Sequence, residues 1–88
     1  MHVKQLERIL KAFANRRRIA IIVYLKKKTE ASVGDIASEI HLSVKSTSRH
    51  LSVLSGAGIL ERDQRSLHAF YTLAPSLSEV ARRIIALL

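Results

Sequence analysis

"SVGDIASEIHLSVKSTSRHLSVLSGAGIL", residues 32–60, is the stretch on which the fold turns. In its second half Val44, Thr47, Leu51 and Leu54 recur at the three-and-four spacing of a helix with one buried face. Ser43 stands where an N-cap belongs, and Gly58 where a C′ glycine in the left-handed conformation ends a helix. In the first half, Ser32 and Asp35 have the form of a capping box with the shorter acid. They open a brief helix from Val33 to about Ile40 that turns Ile36, Ala37 and Ile40 inward. The link "HLS" (41–43) leaves room only for a tight turn, and two helices joined in this way form a helix-turn-helix.

Upstream, Val3, Leu6, Ile9, Leu10 and Phe13 fall on one stripe opposite Lys4, Glu7, Arg8 and Lys11, which predicts an amphipathic helix over 3–14. Asn15 caps a second helix that carries Ile19, Ile22, Val23 and Leu25 and ends near Lys26 to Lys28, where cations suit the negative end of the dipole. Beyond Gly58 the period changes. "ILERDQRSLHAFYTL" (59–73) runs from Ile59 and Leu60 through polar residues to a β-rich Phe70, Tyr71 and Leu73, the pattern of a hairpin with a polar, basic tip. Its turn holds neither Gly nor Asn, so the register stays open. Pro75 ends the strand, Ser76 and Glu79 pair as another capping box, and Leu77, Val80, Ala81, Ile84, Leu87 and Leu88 make the stripe of a last helix over 77–88. The expected fold is mainly α with a small β-hairpin, in the order α-α-α-α-β-β-α. This is a winged helix-turn-helix that spans 1–88 as a single domain.

Eighty-eight residues with 48% apolar side chains suit one small folded domain. The chain has no cysteine, which excludes disulfides, thiolate metal sites and cysteine nucleophiles. No run approaches the roughly 18 apolar residues of a membrane span, and the N-terminus alternates charged with apolar residues instead of reading as a signal peptide. The expected setting is cytoplasmic, away from the membrane. The net charge of +8 is unevenly placed: residues 1–28 hold Lys4, Arg8, Lys11, Arg16, Arg17, Arg18, Lys26, Lys27 and Lys28 against Glu7 alone. The rest of the chain is balanced. Such lopsidedness points to a polyanionic partner, nucleic acid before membrane, although a solvated basic face also promotes solubility. Arg16, Arg17 and Arg18 occupy the first turn of the second helix, where the dipole disfavours cations. Phosphate contact, for which Arg16 and Arg17 are the candidates, and an internal salt bridge both account for them.

Residues 43–52 place eight hydroxyl, cationic and imidazole side chains among ten positions, with no acid. A helix that enters the major groove needs short side chains that let the backbone approach, and donors and acceptors that match base edges. With Val44, Thr47, Leu51 and Leu54 turned inward, Lys45, Ser46, Ser48, Arg49 and Ser52 face outward, and Ser43 sits at the positive end of the dipole. Arg49 is the foremost base-reading candidate because its fork matches guanine O6 and N7. Lys45, Ser46 and Ser48 suit bases or phosphates. For His50, packing and DNA contact are both open. At the hairpin tip Arg62, Gln64 and Arg65 are candidates for a neighbouring minor groove or phosphate, with Arg65 the best placed. Glu61 and Asp63 oppose a uniformly basic wing and offer partners to Arg62 or to Arg16 to Arg18.

"AFANRRRIAII" (12–22), residues 32–60 and "RSLHAFYTL" (65–73) resemble the corresponding segments of the arsenic-repressor (ArsR-type) family of bacterial and archaeal transcription regulators, over nearly the entire chain. The resemblance implies a homodimer built from the first and last helices (about 3–14 and 77–88), through Leu6, Ile9, Leu10, Phe13, Val80, Ile84, Leu87 and Leu88. It supports Lys45, Ser46, Ser48 and Arg49 as groove-facing. Two recognition helices related by a two-fold axis would read half-sites about 34 Å apart, hence an imperfect palindrome in double-stranded DNA. The sequence departs from the metal sensors of that family. "ASVGDI" (31–36) stands where they carry a cysteine pair, the last helix lacks the Asp and His ligands of another class, and His2, His41, His50 and His68 have no ligand-like spacing. No metal is expected at the family's known sites, and no cofactor. No nucleophile elbow or phosphate-binding glycine loop suggests an enzyme. The expected activity is that of a DNA-binding transcription regulator, as a repressor. The alternatives are a non-specific architectural DNA binder, or a winged helix that binds RNA or protein through its basic N-terminal helices.

Overall fold

The computed structural model describes residues 1–88, with the element order α1 (Val3–Phe13), α2 (Arg16–Lys28), β1 (Glu30–Ser32), α3 (Val33–Glu39), α4 (Val44–Gly56), β2 (Leu60–Arg65), β3 (His68–Leu73) and α5 (Glu79–Leu87). The three strands form one antiparallel sheet in the order β1-β3-β2. A winged helix-turn-helix results, in which α3, the turn and α4 are framed by the β2–β3 hairpin on one side and by α1 and α2 on the other.

Each helix start has a local cause. Asn15 Oδ1 accepts from the backbone N–H of Arg17 at 3.0 Å and of Arg18 at 3.1 Å. Ser32 Oγ accepts from Asp35 N and Ser43 Oγ from Ser46 N, so the two helices of the motif begin where the sequence places them. The last helix differs. Its N-cap is Ser78, whose Oγ accepts from Ala81 N at 3.1 Å, and not Ser76. This start puts Glu79 in the first turn, beside the positive end of the dipole and in reach of Arg83 one turn on.

Each helix of the helix-turn-helix is followed by a residue with positive φ. After α4, Gly58 at φ 74° lets its own N–H reach Ser55 O and the N–H of Ile59 reach Leu54 O, the paired bonds of a Schellman turn. After α3, His41 at φ 55° takes the place of a glycine. The N–H of His41 bonds Ser38 O and that of Leu42 bonds Ala37 O. The connection is tight because the backbone turns within these few residues.

The core gathers Ile21, Ile22 and Leu25 of α2, Ile36 of α3, Leu51 and Leu54 of α4, and Ile59 at the entry to the hairpin, all almost wholly buried. Val44, expected on the same inward stripe, is 56% exposed. It occupies the first helical position of α4, where the stripe has run past the surface that α3 covers. On α1 the buried residues are Ile9, Ala12 and Phe13, so Ile9 and Phe13, expected at a dimer interface, belong to the domain's own core. Strand β1 is an addition to the expected order. Its residues "EAS" show no pattern of their own beyond the buried Ala31, and they become a strand because β3 offers an open edge.

The hairpin closes through Ser66 and Leu67, with Arg65 paired opposite His68. Ser66 has φ 56°, the positive value that the first position of a tight hairpin turn demands and that glycine would supply more cheaply. The register left open by the sequence is thereby fixed.

Candidate nucleic-acid interface

The fourth helix is held by its buried side. Thr47, Leu51 and Leu54 are buried against the core, which leaves Lys45, Arg49 and Ser52 on an exposed ridge at i, i+4 and i+7. Ser46 and Ser48 are half-buried on its shoulders, and Ser43 is exposed at the cap. No acid lies anywhere on α4. The ridge presents a mobile ammonium, a guanidinium fork and short hydroxyls to solvent, a set that can donate to phosphates and to base edges alike. Val44 and Val53 are exposed beside it, and the expectation from sequence did not include them.

An open groove separates the start of α4 from the wing, and Val44, Ser48, Arg62, Gln64, Leu67 and His68 line it. Strand parity explains which wing residues face it. Arg62 stands opposite buried Tyr71 and Gln64 opposite Ala69, so both share the inner face of the sheet. Arg62 Nη2 donates to Gln64 Oε1 at 2.5 Å, and Gln64 Nε2 donates to Ser66 O at 3.1 Å, which holds the pair along the rim.

Arg65 lies on the other face. Its guanidinium spans β3 above Phe70, 4.7 Å from the ring centroid, and forms ion pairs with Glu30 of β1 and Asp63 of β2. The Glu30 carboxyl is held below its ordinary range, chiefly by the hydrogen bonds from Arg65. Arg65, the wing cation expected to reach furthest toward DNA, is thus occupied as a brace between β1 and β2.

The arginines at the start of α2 divide as well. None of Arg16, Arg17 and Arg18 meets a carboxylate; the ion pairs of the molecule are Lys11–Glu7, Arg65–Glu30, Arg65–Asp63 and Arg83–Glu79. Arg16 and Arg17 project into solvent. Arg18 is half-buried: its Nε donates to Ala12 O at 2.7 Å, its Nη2 to Lys11 O at 3.0 Å, and its Nη1 lies 3.2 Å from His50 Nδ1. His50 is half-buried, and burial, then Arg18 and Arg17, push its pKa below the ordinary histidine value. The neutral imidazole accepts through Nδ1. This role of Arg18 was not visible in the sequence, because its partners are two backbone carbonyls and a residue on another helix.

Elsewhere, with Ile9 and Phe13 in the core, the six other apolar residues expected at a dimer interface split into two groups. Leu10 at 48% exposure, Leu87 at 86% and Leu88 at 40% are open to solvent, and Leu6, Val80 and Ile84 are half-buried. No group of three His, Asp or Glu side chains is placed to hold a metal ion, and no helix is long and apolar enough to cross a membrane.

Residues 15–62 match the family described as bacterial regulatory protein, arsR family. The transcriptional activator HlyU of Vibrio cholerae is 38% identical over 66 residues, which make up 75% of this chain and 60% of that relative. The solved structure of HlyU from Vibrio cholerae superposes with a TM-score of 0.81 at 32% identity, over 99% of this chain and 92% of that one. A homodimeric winged helix-turn-helix DNA-binding domain from Mycobacterium bovis gives 0.82 at 29% identity, over 97% and 75%. The transcriptional repressor PagR of Bacillus anthracis gives 0.78 at 25% identity, over 97% and 93%. With the family pattern spanning α2, the helix-turn-helix and the start of the wing, and the same fold in each of these structures, the chain belongs to the ArsR family of bacterial regulatory proteins.

Proposed function

We propose that this chain is a sequence-specific double-stranded DNA-binding transcription regulator that works as a homodimer on an imperfect palindrome. The observation that carries the reading is the acid-free ridge of Lys45, Arg49 and Ser52, held outward by buried Thr47, Leu51 and Leu54. Arg49 reads a base. Lys45, Ser46, Ser48 and Ser52 share base and phosphate contacts, and Ser43 with the first turn of α4 meets a phosphate. Arg62 and Gln64 follow the adjacent backbone from the wing, and Arg16 and Arg17 neutralise phosphates on the other flank.

The dimer forms through α1 and α5, with Leu10, Leu87 and Leu88 at its centre and Leu6, Val80 and Ile84 around them. Only 17 of the 88 residues are buried, so a second copy adds apolar contact that the small core lacks. The homodimeric state of the Mycobacterium bovis domain supports a two-copy assembly. Occupation of an operator excludes other proteins from it, which makes repression the simpler outcome, as the name of PagR has it; HlyU is named an activator. The surface binds and does no chemistry on its ligand, and the place of action is the cytoplasm, where bacterial DNA lies.

Selection of duplexes from a randomised pool tests the reading. A palindromic consensus is expected, with a dimer in sedimentation and Leu10→Glu driving the protein to monomer. Truncation of Lys45 and Arg49 together should abolish the consensus. Duplexes bound without any consensus would leave an architectural, charge-driven binder; preference for RNA over every duplex would move the partner to the basic N-terminal helices.

A further inference from the structure

We propose that Arg18 and His50 are positioning residues for sequence readout: one guanidinium, seated on the last carbonyls of α1 and on the imidazole of α4, fixes the recognition helix against α1. The inference rests on the DNA-binding reading given above. Its basis is geometric. Arg18 donates with Nε to Ala12 O at 2.7 Å and with Nη2 to Lys11 O at 3.0 Å, so it closes the C-terminal turn of α1, where carbonyls lack partners within the helix. The third corner, Nη1, lies 3.2 Å from His50 Nδ1. A rigid planar fork with every contact directional is better suited to fixing an angle than a flexible ammonium.

The position of this link gives it a function. His50 directly follows Arg49, the base reader, and it lies on the flank of α4 turned toward α1 and α2. In the proposed dimer α1 belongs to the interface, so the angle between α1 and α4 sets the separation of the two Arg49 side chains. A small error there displaces both readers from their half-sites. Contacts with phosphates tolerate such an error because they do not depend on register, whereas bidentate base contacts do not.

The link also makes the readout sensitive to protons. It needs the neutral imidazole, with Nδ1 as acceptor. A proton on Nδ1 would set a donor against the guanidinium, and like charges at that distance repel. The charges that act on the ring are positive: Arg18, then Arg17, from α2. Arg8 and Lys11 of α1 line the neighbouring groove with Arg18 and Ser52, and Arg49 precedes His50 on α4. Glu7, the one acid of α1, is turned to Lys11 in solvent. Nothing therefore compensates a proton on His50 in the free protein.

The experiment measures fluorescence anisotropy of the whole protein on the selected duplex and on a shuffled one, and follows the ratio of the two affinities. Because the folded chain holds the His50 pKa below the ordinary histidine value, the fall lies below about pH 6.5: between about pH 7.5 and about pH 5 the ratio is expected to drop about tenfold, while binding to the shuffled duplex does not weaken, because added positive charge favours phosphates. His50→Asn keeps an acceptor near the Nδ1 position without a titrating group, and its ratio should stay level across the range. His50→Phe keeps the packing without an acceptor, and its ratio near neutrality should match that of the unaltered protein in acid. The inference is overturned if the unaltered protein keeps its ratio in acid, if His50→Asn retains the pH slope, or if His50→Phe discriminates as well as the unaltered protein. A chain that prefers no duplex at either pH would overturn the DNA-binding reading itself, and this inference with it.

Discussion

Arg65 and Glu30, separated by 35 positions, meet as a bidentate pair: Nη1 donates to Oε1 at 2.8 Å and Nη2 to Oε2. The contact crosses β3 above Phe70 and ties the end of the hairpin to the strand after α2. It gives one of the two wing arginines a task within the fold.

If Arg65 is a brace, Arg65→Ala lowers the thermal midpoint by a few degrees without changing the salt dependence of DNA binding. An arginine that neutralised a phosphate would instead reduce the slope of log K against log salt by about 1. The contribution of the pair also has a defined pH window. The folded state holds the Glu30 carboxyl below its ordinary value, so the stabilisation is complete above that value and is lost as pH falls through the lower, folded one. The stability advantage over Glu30→Gln, followed by thermal melting, should therefore vanish in acid.

Arg49 and Arg17 are expected to fail in different ways. Arg49→Ala should cost roughly 1 to 3 kcal/mol on the selected duplex and relax discrimination at one base pair of each half-site, as read by competition with single-substitution duplexes. Arg17→Gln should weaken all duplexes alike and reduce the salt slope by about 1. Equal behaviour of the two variants would remove Arg49 from base reading.

The turns that end α3 and α4 predict opposite stability changes. Gly58→Ala places a side chain at φ 74° in open space, so its cost is the backbone conformation alone, about 1 kcal/mol. His41→Gly removes the same penalty at φ 55° and should stabilise the protein by up to about 1 kcal/mol. Urea unfolding of both variants checks the pair.

Thr47 is fully buried, and its Oγ1 has no hydrogen-bond partner. An unsatisfied hydroxyl in the core costs roughly 1 to 3 kcal/mol, and valine has nearly the same shape. Thr47→Val is expected to raise stability by about 1 kcal/mol in chemical unfolding and to leave DNA affinity unchanged, since residue 47 faces away from the ridge.

What the sequence made legible is what depends on neighbours a few positions apart. Asn15, Ser32 and Ser43 cap the helices that their spacing implies, and Gly58 ends α4 in the conformation only glycine adopts freely. The pattern misled where helical periodicity outruns the surface that buries it, as at Val44. It also misled where two serines offer the same local signal: Ser76 and Ser78 both precede a helix pattern, and packing of Ala81 and Ile85 into the core selects the second. Strand β1, the Arg65–Glu30 pair and the Arg18–His50 link had no local signature, since each joins elements far apart in the chain. The fold and the outward face of α4 were thus readable. The separation of free cations from occupied ones was not, because it is decided by partners that the chain brings together only on folding.

The most direct measurement of the central claim is fluorescence anisotropy of the purified protein on DNA from upstream of its own gene, against a shuffled duplex of the same composition, through a salt series. The account predicts a preference of about 10³ or more that persists at physiological salt. Equal affinities on the two duplexes, collapsing together as salt rises, would contradict it.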